Sequence, residues 1–450
     1  MDEYFLLSNS TAKKLYGAVK DLPIIDYHNH LSLEDVKSNN RFNNVYDLWV
    51  APDPYKHRVM RMCGVNEEYI TGNKDKKEKF IKWCETFPKL IGNPLYHWSL
   101  MELSYVFGIE DLPNGENAVS IYEKCNAFLE ENEVTPKFFL NKFNAELVCP
   151  CFTLTDNPEI LKNVKGVTPS LRADNVLAPD KKFVSELSKI TNTEIKNLSD
   201  YKSAVSKQIK VFRKAGCIFS DHALDNGFRF FEDDSDSEKY FDRLINGDAE
   251  KKQKEKFFSY MLCFIAQEYA KNGMIMQLHI GAQRYTSSAL RQRLGAAGGF
   301  AAIGSCVDID SVAKMLDTID KTKERLPKTV LFTLNPADNA TFSCLSGSFS
   351  RDGKSGLITQ GPAWWWCDHK KGITDMLNDT ASFSLLYNFL GMTTDSRSFL
   401  SFVRHDYFRR ILCSVLGEMF ENGEIFDYNA LEDLVKRMCY KNAKDVIGEI

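Results

Sequence analysis

Short runs rich in β-branched and apolar residues recur along this chain, separated by longer stretches whose apolar positions fall three and four apart. Eight such runs stand at 22–28, 146–153, 166–172, 217–223, 274–280, 329–335, 356–362 and 389–395. Strands that alternate with helices describe βα units around a parallel sheet, and eight of them predict a (β/α)8 barrel of the α/β class. In such a barrel the chemistry sits on the loops leaving the carboxyl ends of the strands. Those ends carry His28 and His30, then Thr153 and Asp156, Arg172, Asp221 and His222, His279, Asn335, Gln360, and finally Asp395 and Arg397. Histidines and charged groups gathered at one rim argue for a site.

The spacing of the runs is uneven. The first two are separated by more than a hundred residues, far more than one crossover helix needs. The barrel is therefore expected to comprise residues 1–32 and 146–450, and residues 33–145 to form an inserted helical subdomain capping the mouth. The patterns KDKKEKFIKWCETFPKLIG and YHWSLMELSYVFGI within the insertion read as amphipathic helices. A second excursion, 225–248, holds the acidic run EDDSDSE, which lacks the ordered ligand and glycine spacing of a calcium loop and is assigned no chemistry. After the last run, two helical patterns close the barrel, the second opening with Asn429 and Glu432 as an N-cap and its partner.

Composition narrows the class further. With 450 residues, 44% hydrophobic and 26% charged, the chain can bury a large core, which excludes intrinsic disorder, collagen and coiled coil. Basic and acidic side chains number 57 and 61, so no overall field draws the chain to nucleic acid or to an acidic membrane. The start, MDEYFLLSNSTAKK, places acids where a signal peptide wants bases, and no stretch approaches 18 uninterrupted apolar residues. A cytoplasmic protein with no membrane span is expected. The twelve cysteines are scattered and read as reduced, buried thiols; Cys149 and Cys151 share one strand face and read as packing. The aromatic content is compatible with a homo-oligomer and does not require one.

The sharpest local signal is DYHNHL, at the end of the first run. In an extended chain residues two apart face the same way, so His28 and His30 can bind one metal ion. A pair of hydrogen-bonded histidines is the bland alternative. Asp395, directly after the eighth run, favours the metal, because the last and first strands of a closed barrel are neighbours. Two imidazoles and a carboxylate leave positions open for water or substrate, and zinc is the first choice for that set. His279, ending the fifth run, faces the same mouth as a further ligand or a substrate contact.

Longer strings carry a resemblance. HxH on the first strand with Asp395 after the last is similar to the amidohydrolase superfamily. GNPLYHWSLMEL at 92–103, QLHIGAQR at 277–284, PAWWW at 362–366 followed by Asp368, and GMTTDSRSFLSFVRHDYFRRILC at 391–413 resemble the uronate isomerase branch of it. The resemblance implies a distorted, TIM-like (β/α)8 barrel with a helical insertion after strand one. It also implies conversion of D-glucuronate to D-fructuronate and of D-galacturonate to D-tagaturonate. Carried over residue by residue, it makes His28, His30 and Asp395 the metal ligands and Tyr55, Arg172 and Arg397 substrate groups. One divalent ion, zinc by preference, is expected there, and His279 and Trp365 are expected as further substrate contacts. One departure is visible. Relatives usually read His-Tyr-Lys-Trp-Arg where this chain has Pro54, Tyr55, Lys56, His57 and Arg58.

The chemistry of such a reaction fits these residues independently. An aldose becomes a ketose when a proton leaves C2 and returns at C1 through a cis-enediol, which needs a base, a proton relay and a stabiliser of oxyanion charge. Asp395 suits the base position, Tyr55 can pass a proton to the carbonyl oxygen, and a guanidinium suits the C6 carboxylate. No nucleotide cofactor is expected, since RLGAAGGFAAIGS at 293–305 matches neither GxGxxG nor the Walker pattern and reads as a flexible loop near the mouth. SCLSGSFSR lacks the GxSxG elbow of a serine hydrolase. The main rival is a metal-dependent hydrolase. Its two-metal form would place a lysine after strand four and a histidine after strand six, whereas Asp221-His222 and Asn335-Pro336 stand there, leaving only a mononuclear version.

Overall fold

The computed structural model describes residues 2–296 and 298–448. Met1, Glu449 and Ile450 at the ends of the expected barrel, and Ala297 in the glycine-rich loop, lie outside the described residues. Seven of the eight runs become strands of one sheet: β1 (Ile24–Asn29), β2 (Ala145–Thr153), β3 (Ser170–Arg172), β4 (Phe219–Leu224), β5 (Ile275–Ile280), β6 (Thr329–Thr333) and β7 (Ile358–Gln360). They pair in chain order, every pairing parallel. Helices such as Leu198–Lys214, Lys251–Lys271 and Ile309–Asp320 make the crossovers. The sheet is strongly curled. Tyr27 of β1 stacks on Phe219 of β4 with ring centroids 5.2 Å apart, whereas three strand spacings, roughly 14 Å, would separate them in a flat sheet.

Alternation along the strands builds the interior in layers. Ile25, Cys149, Phe219, Ile275 and Val330 form an apolar floor. Two residues further on, the same inward positions carry Cys151, Asp221, Gln277 and Phe332, and His279 stands above Gln277 on β5. A side-chain period of two thus lifts the chain from an apolar core to a rim of ionisable groups.

The eighth run departs from expectation. Residues 389–395 form no regular strand, so the structure shows a curled seven-stranded parallel sheet and no closed barrel of eight. Side chains have replaced the ladder there. Thr394 donates its N–H and its hydroxyl to the buried Asp26 carboxylate, at 2.7 Å each, and Thr393 gives its hydroxyl to the His28 carbonyl. Gly391 (φ +116°) and Asp395 (φ +45°) turn the backbone out of the extended region.

Residues 33–145 hold seven α-helices between β1 and β2. Three of them, Pro54–Met62, Pro94–Glu102 and Pro136–Lys142, begin with proline behind Asp53, Asn93 or Thr135, whose side chains accept from the first free backbone N–H groups. Proline at the first helical position loses no bond, because that N–H has no partner in the helix. At the carboxyl end, Asp427 caps helix Tyr428–Lys436 by accepting from the Asn429 and Ala430 N–H groups. Asn429 therefore sits inside the helix, two residues after the true cap. Among the described residues no helix is long and apolar enough to cross a membrane.

Candidate active site

Asp26 anchors the site from below. Besides its two bonds to Thr394, main-chain bonds run from Asp395 N–H to His28 O (3.1 Å) and from His30 N–H to Ser396 O (2.8 Å). The segment bearing Asp395 is thereby fixed to the strand bearing the two histidines. Asp395 Oδ1 lies 3.2 Å from His28 Nε2 and 3.1 Å from His30 Nε2. Its Oδ2 accepts from Trp364 Nε1 at 2.7 Å. Asp395 and Trp365 both hold positive φ, +45° and +50°, although neither is glycine. Strain of this kind costs about 1–3 kcal/mol per residue and gathers at functional sites.

These donors fit a divalent cation. His28 is 1% exposed, and its Nε2 makes no hydrogen bond of acceptable direction even though a carboxylate oxygen faces it. A buried imidazole nitrogen left facing a carboxylate and a second imidazole is what a cation would satisfy. Burial works against ionising Asp395, yet the two imidazoles hold its carboxyl well below the usual carboxylate range. Burial also pulls His30 down, but Cys151 and Asp395 outweigh it and bring the imidazole up to about 9.

Cys151 corrects the sequence reading, which assigned it to packing. Its Sγ lies 3.6 Å from His28 Nδ1 and 3.7 Å from Asp221 Oδ1, at the foot of the same site. Cys149 keeps the packing role and is wholly buried. His279 stands beside His28, ring centroids 4.5 Å apart, between Phe332 and Trp364. Burial, and next the charge on His28, hold its imidazole well below the ordinary value.

A cavity of about 220 Å³ opens above these groups. His28, His30, Tyr55, Arg172, His279, Trp365, Asp395 and Arg397, all expected at the site, are in its wall. The two expected carboxylate partners differ in state. Arg172 is engaged by Asp221 (3.1 Å) and Asp174 (3.0 Å), so its charge is already matched. Arg397 is exposed and makes no ion pair with any described residue. Arg284 and Arg291 also line the cavity, unforeseen from the sequence. Arg284 is gripped by both oxygens of Asp225 at 2.8 and 3.0 Å, so the excursion that begins there contributes to the site after all.

Tyr55 enters from the helical insertion, at the second position of helix Pro54–Met62. The Asp53 carboxylate accepts its N–H at 2.9 Å, and the neighbouring Lys56 is buried against Asp53 (2.7 Å) and Glu102 (3.2 Å). Removing the cation would leave two buried carboxylates unpaired. Lys56→Ala is therefore expected to lower stability by about 3–5 kcal/mol, read from denaturant unfolding, and an unchanged midpoint would contradict this anchoring. The glycine-rich loop meets the same helix. Arg58 Nη1 donates to the Gly299 and Ala301 carbonyls at 3.1 Å each, so the loop expected to be flexible is tethered. Gly299 has φ +80°, and a Cβ there would stand 2.6 Å from the Pro54 carbonyl oxygen, so only glycine allows this approach. His57, one of the departures from the resemblance, is half-buried with its Nε2 unpartnered, and burial pushes it down to about 4.

Comparison with known proteins agrees with this geometry. A family model described as glucuronate isomerase matches residues 1–447. A uronate isomerase of Caldanaerobacter subterraneus subsp. tengcongensis is 39% identical over 463 residues, covering 100% of this chain and 99% of the relative. One from Endomicrobium trichonymphae is 38% identical, covering 98% and 97%. The crystal structure of a uronate isomerase from Thermotoga maritima superposes with a TM-score of 0.93 at 30% identity, covering 99% of each chain.

Proposed function

Since this chain belongs to the glucuronate isomerase family and is a uronate isomerase, we propose that it converts D-glucuronate to D-fructuronate and D-galacturonate to D-tagaturonate by moving a proton from C2 to C1. The observation that carries this reading is Asp395 Oδ1 standing 3.2 Å from His28 Nε2 and 3.1 Å from His30 Nε2, under a cavity walled by Tyr55 and Arg397. His28, His30 and Asp395 would hold one divalent ion, zinc by preference, which when bound supplies Lewis-acid polarisation of a substrate oxygen. Asp395, its plane fixed by Trp364, takes the C2 proton and returns it at C1 from the same side. Tyr55 gives a proton to the carbonyl oxygen as the cis-enediol forms. The metal-dependent hydrolase alternative is not favoured, because the matching relatives are isomerases across the whole chain.

Arg397 is the better partner for the substrate's C6 carboxylate. An unpaired guanidinium offers a bidentate contact at no cost to an existing ion pair, whereas Arg172 would have to leave Asp221 and Asp174. Arg397→Lys keeps the charge and loses the fork, and is expected to raise KM for glucuronate roughly tenfold to a hundredfold, the worth of a charge-assisted bond. Arg172→Lys should change KM far less. An Arg397→Lys enzyme with unaltered KM and unaltered discrimination against glucose would place carboxylate recognition elsewhere. Turnover of both uronates before and after chelation, with product identified as the ketose, tests the whole reading.

A further inference from the structure

Asp368 has no part in the chemistry above, yet it is 4% exposed and bonded to Tyr55. Its Oδ2 accepts from the Tyr55 hydroxyl at 3.3 Å and from Arg404 Nη1 at 3.1 Å. Arg404 is itself 1% exposed. Its guanidinium carbon lies 4.1 Å from the centroid of Trp98 and 5.1 Å from that of Tyr55, and Nη1 also reaches the carbonyl of Thr394, next to Asp395, at 3.4 Å. An ion pair so fully buried gains little net stability, because desolvation offsets its attraction. A second cavity, of about 580 Å³, has both Tyr55 and Asp368 in its wall and shares Tyr55 and Trp365 with the first. Tyr55 thus borders both cavities.

We propose that Asp368 is a positioning residue that orients the Tyr55 phenol and resupplies its proton, without touching substrate. The inference rests on Tyr55 being the donor to the substrate oxygen. The relay starts from Asp368 in its protonated form, with the hydrogen bond running from carboxyl to phenol. As the aldehyde oxygen takes the Tyr55 proton, the Tyr55 O–H bond breaks and the phenol oxygen takes the Asp368 proton, leaving the carboxylate that accepts from Tyr55 and Arg404. In the second half the enediol 2-hydroxyl gives its proton to Tyr55 as C2 becomes the ketone, and the Tyr55 proton returns to Asp368. Neither residue gains or loses a proton over a cycle. The surroundings suit this: burial pushes the Asp368 carboxyl up to about 7, with Arg404 opposing and the charges of Asp395 and Asp53 adding to the rise. The groups facing it are Tyr55 and Asp53 from the start of helix Pro54–Met62, Arg404 from helix Val403–Glu421, and Asp395.

The test is a double-mutant cycle with chemical rescue, on the whole enzyme. Asp368→Ala should lower kcat about a hundredfold, within the usual reach of acid–base catalysis, while KM for glucuronate changes little. Formate, entering through the second cavity, should restore part of that kcat. In the Tyr55→Phe background Asp368→Ala should cost nothing further, because both changes break one relay. Asp368→Asn, which conserves volume, should be as slow as Asp368→Ala, and its thermal melting checks that the fold is intact. Losses that multiply in the double variant, or an Asp368→Ala enzyme that formate does not restore, would overturn the inference while leaving Tyr55 as donor. Full activity in Tyr55→Phe alone would overturn the reading beneath it.

Discussion

An enzyme carrying His28→Ala together with His30→Ala is expected to purify without its divalent ion and to lose turnover by about a thousandfold or more. Both Nε2 atoms face one oxygen of Asp395, and the double change removes both. Stabilisation of developing oxyanion charge by a bound ion is worth several kcal/mol, and each ~1.4 kcal/mol is tenfold in rate. The fold should survive the change. His28 sits in the polar layer above the apolar floor, and the backbone bonds tying residues 391–396 to β1 do not involve its ring. Elemental analysis of the purified double variant decides the matter, and a metal content equal to the parent's would remove these residues from the ligand set.

Tyr55→Phe is the second large effect. The substitution deletes one oxygen and leaves the ring between Trp98 and Trp366, whose centroids lie 5.8 and 5.1 Å away. Stability should be nearly unchanged. The rate should fall by about 10²–10⁴, the contribution of a positioned acid, with KM close to the parent's because the phenol acts on the reacting oxygen and not on the carboxylate. A Tyr55→Phe enzyme as fast as its parent would contradict the assignment.

The seven strands were legible because each is a short β-branched run of the right period between helical patterns. The eighth misled for the same reason. Thr393 and Thr394 look like strand residues, and no periodicity reveals that their hydroxyls and a left-handed Asp395 will replace the ladder with bonds to Asp26 and His28. The eight site residues expected from the sequence all reach one cavity, since strand ends of a curled parallel sheet must converge. Depth was harder to read. Alternation turned Cys151 inward but could not say that it lies one layer above Cys149, beside His28. Arg404 and Asp368 were hidden because one lies on a helix in an apolar pattern and the other in an irregular turn after three tryptophans; their meeting with Tyr55 is a matter of tertiary placement alone. Nor could spacing tell the paired Arg172 from the unpaired Arg397.

Isomerisation of glucuronate in heavy water, with the ketose read by NMR at C1, bears most directly on the chemistry. Proton transfer by Asp395 from one side of a cis-enediol places solvent deuterium at C1, in one of its two stereochemical positions. A shielded base that returns its proton faster than it exchanges lowers the amount. Ketose entirely free of solvent deuterium, together with substantial activity in both Asp395→Asn and Tyr55→Phe, would contradict a proton-transfer mechanism at this site.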